Sequence, residues 1–234
     1  QCGQCHVEYN CNPGFDPNTG EYSIKAADQR TNHFPFKNVL SIYDHYNAIG
    51  FRDFRHTLTG GLLWKAQHPE AETYWGSVHD KAGAKCDACH MPKVRNAKGK
   101  VYTSHWATSP KSYLKQTCLT SKCHPNLTEH QAVYEIESIR NYTKGRMRKA
   151  EFWLSELIDK IVEGKGAGLP ADVIREAQEQ HQKAHVLWEW WTAENSDGFH
   201  NPSLARESLT RSIEESKKGI RLISDATAKR SAAK

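Results

Sequence analysis

The 234-residue chain has no stretch approaching the roughly 18 consecutive apolar residues that a membrane-spanning helix needs, so a bilayer-crossing helix is excluded. It is also poor in core-forming residues. Apolar residues make up 38%, and adding the 15 glycines brings the share to about 44%, just under the range usual for globular chains. There is no long basic patch either: 32 Lys and Arg against 27 Asp and Glu leave a formal charge of +5 that is dispersed along the chain, and no nucleic-acid partner is required. Aromatic residues at 10% and charges of both signs at 25% speak against disorder. No charged leader, apolar segment or small-residue cleavage site surrounds Gln1-Cys2, so no targeting signal is read. The expectation is that one was removed or that the true N-terminus lies upstream. The length suits one large domain or two small ones.

What the sequence does have is cysteine in a pattern. Six of its seven cysteines form close pairs, Cys2 with Cys5, Cys86 with Cys89 and Cys118 with Cys123, and a histidine follows the second member each time: His6, His90 and His124. With 13 histidines in the chain, chance places His after all three pairs about two times in ten thousand, which favours a spacing code over a disulfide framework. Cys2-Gly3-Gln4-Cys5-His6 and Cys86-Asp87-Ala88-Cys89-His90 are CxxCH motifs for covalent attachment of c-type haem. Two thiols one helical turn apart reach the two vinyl groups on one porphyrin edge, and the adjacent imidazole lies under the iron. Between Cys118 and Cys123 four residues intervene, so the peptide must loop out between the two thioether bonds. Zinc ribbons also use paired CxxC, but they need no His after each second Cys and would leave many histidines over.

Three haem c groups account for the lean core, since porphyrin faces replace side chains as apolar filling. Their six propionates would take the formal +5 to about −1. Each low-spin haem wants a second axial ligand. The ten histidines outside the motifs (13 less three) are candidates among which spacing alone does not choose.

The chain divides by character. Residues 1–125 carry every haem motif and most turn signals, with residues 12–31 reading as an exposed loop and residues 35–58 as helical through Val39, Ile42, Tyr43 and Tyr46. From residue 126 long helical patterns take over. One runs to about Glu163, a second from Pro170 to about Ala193, and a third from Asn201-Pro202 to about Ala228, with the lysine-rich end from Lys229 fraying. The expected fold is mainly α, a multihaem cytochrome c whose irregular and helical first half wraps haem and whose second half, 126–234, is long helices. Their aromatic stripes serve internal packing or a subunit interface.

Assembled in order, these residues resemble the C-terminal part of the ammonia-forming multihaem cytochrome c nitrite reductases, over nearly the whole chain. The resemblance is carried by Cys2 through Tyr9, Lys65-Ala66-Gln67-His68-Pro69-Glu70, His79 seven residues before Cys86, Cys86 through Lys93, His105, Cys118, and the Gly198-Phe199-His200 turn between long helices. It implies that Tyr9 and His68 are the active-site tyrosine and histidine above a catalytic haem. Glu8 and Gln67 correspond to side-chain ligands of a structural calcium, completed by the carbonyls of Tyr9 and Lys65, and hard oxygen donors suit that ion. His79 corresponds to the distal ligand of the haem on His124, His200 to that of the haem on His90, and His105 to that of a haem attached upstream. Cys11, two residues after Tyr9, resembles the octahaem branch, where such a cysteine is joined to the tyrosine by a thioether bond. The alternative is a buried free thiol.

The family's catalytic haem hangs on a CxxCK motif accompanied by an arginine, and no CxxCK occurs here. The chain is therefore expected to be a portion of a longer protein. The implied reaction takes nitrite to ammonium, with the haems on His6, His90 and His124 relaying electrons. An electron-transfer cytochrome without an open iron is the alternative of a different class. A relative oxidising hydroxylamine or hydrazine is a third, against which Glu8-Tyr9 and the Lys65–Glu70 segment argue. Expected partners are a quinol-linked membrane cytochrome or a soluble donor cytochrome, and further copies of the chain. The expected location is the periplasm or an equivalent exterior space, where thioether haem attachment takes place.

Overall fold

The computed structural model describes residues 1–9, 15–16, 21–22 and 37–232. Cys11 and most of the loop expected over 12–31 lie outside them. Three long helices dominate: α5 (Glu129–Gly166), α6 (Ala171–Ala193) and α7 (Pro202–Ala232), each packed on the other two. Their starts are dictated locally. The Thr128 hydroxyl accepts from Gln131 N at 3.2 Å while the Gln131 side chain accepts from Thr128 N at 2.9 Å, a reciprocal capping box. Pro170 stands just before α6, and Asn201 Oδ1 accepts from Leu204 N at 3.2 Å ahead of α7. The breaks near residues 164–170 and 196–201 fall where expected, although α5 continues to Gly166. The expected fraying from Lys229 does not occur: Lys229 and Arg230 remain in α7, and the Arg230 guanidinium donates to the Gly168 carbonyl between α5 and α6.

The helix expected over 35–58 is confined to α1 (Ile42–Ala48). Gly50 at φ 67° ends the helical run, Phe51 N turns back to Tyr46 O at 3.0 Å, and the chain enters a two-stranded ladder of β3 (Phe54–Arg55) with β4 (Leu62–Leu63). Helical periodicity still marks the buried face, since Val39, Ile42 and Tyr46 are all within 1% of full burial. Short helices α2 (Glu70–Tyr74), α3 (Val78–Lys81) and α4 (Cys86–His90) follow. Two further antiparallel ladders occur among the described residues, β1 (Phe15–Asp16) with β2 (Glu21–Tyr22) and β5 (Lys93–Arg95) with β6 (Val101–Thr103).

One apolar core spans the division at residue 125. Val39, Ile42, Tyr46, Phe51 and Trp64 from the first half interdigitate with Ala150, Val186, Trp190, Trp191, Leu204, Leu209 and Ile213 from the long helices. A second cluster, Leu157, Ile161, Leu169, Ala177 and Ile223, closes the far end of the helical layer. The long helices thus form a platform on which α1–α4 and the segments carrying Glu8, His68 and the thiols are laid.

Candidate active site

Each Cys-His motif is folded as its chemistry requires. A 3₁₀ turn over Cys2–Gln4 brings His6 N to Cys2 O at 2.9 Å, and α4 is a single turn from Cys86 to His90. In the longer motif Thr120 O receives Cys123 N at 3.1 Å, so the extra residues bulge outward, and His124 N returns to Cys118 O at 3.0 Å. The closure is the same in both forms, with the first cysteine's carbonyl tied to the histidine's N–H. The six thiols of the motifs are unpaired in this structure. Burial, and then the neighbouring Cys2 thiol, push the Cys86 thiol up. Burial pushes Cys89 up to about 11, with Cys118, Cys123 and Cys86 adding to it. The three motifs therefore converge on one region.

The imidazoles expected to pair across iron do face one another. His79 and His124 have ring centroids 6.3 Å apart, and His90 and His200 6.2 Å apart. A metal midway between two ring nitrogens at bonds of about 2 Å separates the ring centres by about 6.2 Å, so both gaps have the width that one iron fills. The nitrogens are sorted to match. His6 Nδ1 lies 3.3 Å from Glu70 Oε2, His90 Nδ1 3.1 Å from the Thr108 carbonyl, and His200 Nδ1 2.6 Å from Glu194 Oε1. Each acceptor holds Nδ1–H and leaves the Nε2 lone pair for a metal. Burial lowers the pKa of both His79 and His90, which favours the neutral ligating form. The residues present thus fit haem c.

The other expected constellation forms between the first segment and the loop after β4. Tyr9 and His68 rings stand 6.2 Å apart, tilted by 34°, with Tyr9 half-buried and His68 exposed. Beneath them Glu8 is fully buried. Its Oε2 accepts from Gln67 N at 2.6 Å, its Oε1 from the Tyr46 hydroxyl at 3.2 Å, and its own N–H donates to Glu72 at 3.0 Å. Burial pushes the Glu8 carboxyl up to about 8, against the opposing pull of the Gln67 and Tyr46 hydrogen bonds and with Glu72 and Asp53 adding to the rise. Burial likewise takes Glu72 up to about 7 and raises the Tyr46 phenol. Among the described residues no three His, Cys, Asp or Glu side chains converge as a ready cation cage. The buried Glu8 carboxylate, with the Glu72 and Asp53 carboxylates close by, is nevertheless the hard oxygen donor class calcium takes, and a divalent cation there would offset the burial of Glu8. These residues fit calcium by chemistry.

One expected site residue, His105, is not joined to this cluster. His105 lies exposed, without a ring or hydrogen-bond partner among the described residues, beside Trp106, itself 90% exposed. Cys11, the seventh cysteine, is outside the described residues. Sequence reading also missed several supports. Glu70, Glu72 and Tyr46 reach the site from distant positions and Glu194 and the Thr108 carbonyl from 6 and 18 residues away, and nothing in their local sequence marks them as partners of His6, Glu8, His200 or His90. Asn195 donates to Glu70 across 125 positions. A separate buried group, His56, His181 and His185, was visible in one respect only: His181 and His185 are four apart on α6 and so share a face.

Comparison with known proteins bears on what this arrangement is. The protein-family model described as cytochrome c552 matches residues 1–234. The chain is 31% identical to a cytochrome c nitrite reductase subunit NrfA of Nitratidesulfovibrio vulgaris, across 97% of this chain and 44% of that protein. It is 28% identical to a cytochrome c-552 of Haemophilus influenzae, across 92% of this chain and 37% of that protein. Among solved structures, the cytochrome c nitrite reductase catalytic subunit NrfA of Desulfovibrio desulfuricans, described for its two calcium sites, superposes with a TM-score of 0.80 at 28% identity, covering 97% of this chain and 48% of that one. The chain spans less than half the length of these relatives.

Proposed function

Because the chain belongs to the cytochrome c552 family, matched over all its residues, we propose that it forms the haem-relay and substrate-facing part of a cytochrome c that reduces nitrite to ammonium. The observation that carries this reading is the facing of Tyr9 and His68 at 6.2 Å over the buried Glu8, beside two imidazole pairs spaced for iron. The haems, when bound, supply the six electrons, one at a time. The side chains handle orientation and protons. His68, on an exposed rim, donates a hydrogen bond to a nitrite oxygen, which stabilises that oxygen as it gains charge and leaves as water. Tyr9, half-buried opposite it, holds the shrinking substrate by its hydroxyl and hands on protons, of which eight are consumed per ammonium and two waters. Glu8, Gln67 and the carbonyls of Lys65 and Tyr9 would hold a calcium ion, which would brace the backbone carrying both groups and supply positive charge favouring an anion.

His6, His90 and His124 carry three haems in this reading, His79 and His200 complete two of them, and His105 serves a haem on a segment outside this chain. The catalytic haem and its arginine belong to that same segment, consistent with the greater length of the relatives. Residues 1–125 form the haem and site region. Residues 126–234 form the platform, whose outer face keeps Tyr134, Tyr142 and Phe152 exposed for contact with another copy. A thioether between Tyr9 and Cys11, which lies outside the described residues, would assign the chain to the octahaem branch. Thioether haem attachment places the protein in the periplasm or a similar exterior space, receiving electrons from a donor cytochrome. Among the described residues no helix is long and apolar enough to cross a membrane.

The test is ammonium production from nitrite by the full-length holoprotein with a chemical electron donor, together with His68→Asn and Tyr9→Phe. Losing one transition-state hydrogen bond lowers turnover by about 100-fold for His68→Asn and less for Tyr9→Phe. A protein with only six-coordinate low-spin haem and no ammonium formed is an electron-transfer cytochrome instead.

A further inference from the structure

The described hydrogen bonds to the imidazoles of the two paired sites are not equal. His90 donates to a neutral carbonyl, Thr108 O, at 3.1 Å, and among the described residues neither His79 nor His124 meets a carboxylate. His200 meets Glu194 Oε1 at 2.6 Å, and the Glu194 side chain is 0% exposed. The third motif histidine, His6, contacts Glu70 at a longer 3.3 Å with its own side chain 61% exposed, where water screens the charge. Glu194 is also held rigidly. It ends α6 with an extended backbone, and its Oε2 accepts from the Ser196 hydroxyl at 2.8 Å and from Gly198 N at 3.3 Å. The same Ser196 oxygen receives His200 N at 2.9 Å, so the turn aims ligand and carboxylate at each other.

We propose that Glu194 is a positioning and tuning residue which, acting through His200 Nδ1, lowers the reduction potential of the haem attached at Cys86, Cys89 and His90. The inference deepens the function proposed above and rests on its reading of His90 and His200 as one axial pair. Reduction adds one electron to the iron and no bond or proton moves. The oxidised form carries one more positive charge, and a buried anion pulling on the Nδ1–H makes His200 a stronger electron donor that favours it. Low dielectric around Glu194 strengthens the effect. An electron arriving at this haem is therefore passed on rather than stored, while the haem between His79 and His124, with no such partner among the described residues, sits at higher potential.

The experiment uses the full-length holoprotein with Glu194→Gln, Ser196→Ala and His200→Ala, a spectroelectrochemical titration of each and electron paramagnetic resonance of the oxidised forms. Glu194→Gln keeps the shape and the hydrogen bond but not the charge. It raises the potential of one haem so that, at a fixed applied potential, its reduced-to-oxidised ratio changes at least tenfold, 59 mV for one electron. Ser196→Ala removes a donor from the carboxylate, concentrates its charge toward His200 and moves the same haem the opposite way. A merely structural role would move both variants together and erode the low-spin signal. Unmoved potentials in Glu194→Gln with the low-spin signals intact overturn the proposal. His200→Ala separates the two layers of the argument: conversion of one low-spin haem to high spin upholds the axial pair, and unchanged low-spin signals overturn that pairing and the tuning with it.

Discussion

His181 and His185, outside the histidines proposed for haem above, are the histidines that burial shifts most among the described residues. His181 is 0% exposed, and its Nδ1 meets the Thr59 hydroxyl at 3.3 Å; that hydroxyl lies 3.3 Å from His56 Nδ1. His185 Nε2 meets Glu189 at 3.1 Å. Burial, reinforced by the neighbouring imidazoles, takes His181 down to about 3 and His185 down to about 4. Both are neutral in the fold well below the ordinary value of 6.5. Between that value and about 3 to 4 the unfolded chain binds protons that the folded chain does not, so stability is full above pH 6.5 and falls as pH drops through this window. His181→Leu should flatten the acid side of the curve of melting temperature against pH, the wild type losing on the order of a few kcal/mol more than the variant between pH 6.5 and 4. An unchanged acid slope in the variant would count against a neutral buried His181. In the sequence these residues stand only among the ten histidines outside the haem motifs, candidates for a second axial position. Their burial was not legible, because Thr59 and His56 arrive from the β3–β4 hairpin more than a hundred positions away.

Elements depend on close approach as much as on pattern. In α7, Gly219 lies where an added Cβ would come 2.5 Å from Leu157 Cδ1 of α5 and 3.1 Å from Gln180 Cβ of α6. The glycine lets three helices meet at one level. Alanine is the better helix former by about 1 kcal/mol, yet overpacking a tight core costs about 1–3 kcal/mol. Gly219→Ala should therefore destabilise by up to about 2 kcal/mol net in chemical denaturation, and Leu157→Val in the same chain should recover part of that loss. If Gly219→Ala were stabilising, helix propensity would outweigh the contact. The long helices were legible to within a few residues because period, caps and breakers agree. The stretch 35–58 was not, since its apolar spacing fits a helix while Gly50 and the pairing of Phe54 with Leu63 divert the backbone, and two-residue strands leave too little alternation to see.

At the scale of the molecule, the two halves are supported differently. Beyond the core they share with the first half, the long helices have an apolar cluster of their own, whereas the site half also joins segments far apart in sequence through polar contacts: Glu8 to Gln67, Glu72 and Tyr46 across 59, 64 and 38 positions, and His6 to Glu70 across 64. Cys-His spacing made the thiol motifs legible and family resemblance suggested which residues stand together, but the polar supports were not legible, because a contact between residues 8 and 72 leaves no periodic trace. This distinction makes the effect of calcium removal specific. A cation bound at Glu8, Gln67 and the carbonyls of Tyr9 and Lys65 ties the first segment to the loop before α2 and offsets the buried carboxylate. A ligand held at a hundred times its dissociation constant stabilises by about 2.7 kcal/mol. Treating the holoprotein with a calcium chelator should therefore lower its melting temperature, restored by calcium and not by sodium. Amide hydrogen exchange should accelerate in residues 1–9 and 65–74 while α5–α7 keep their protection, since their packing does not pass through the site. Uniform loosening of all three long helices would contradict the division, and no change anywhere would remove calcium from the site.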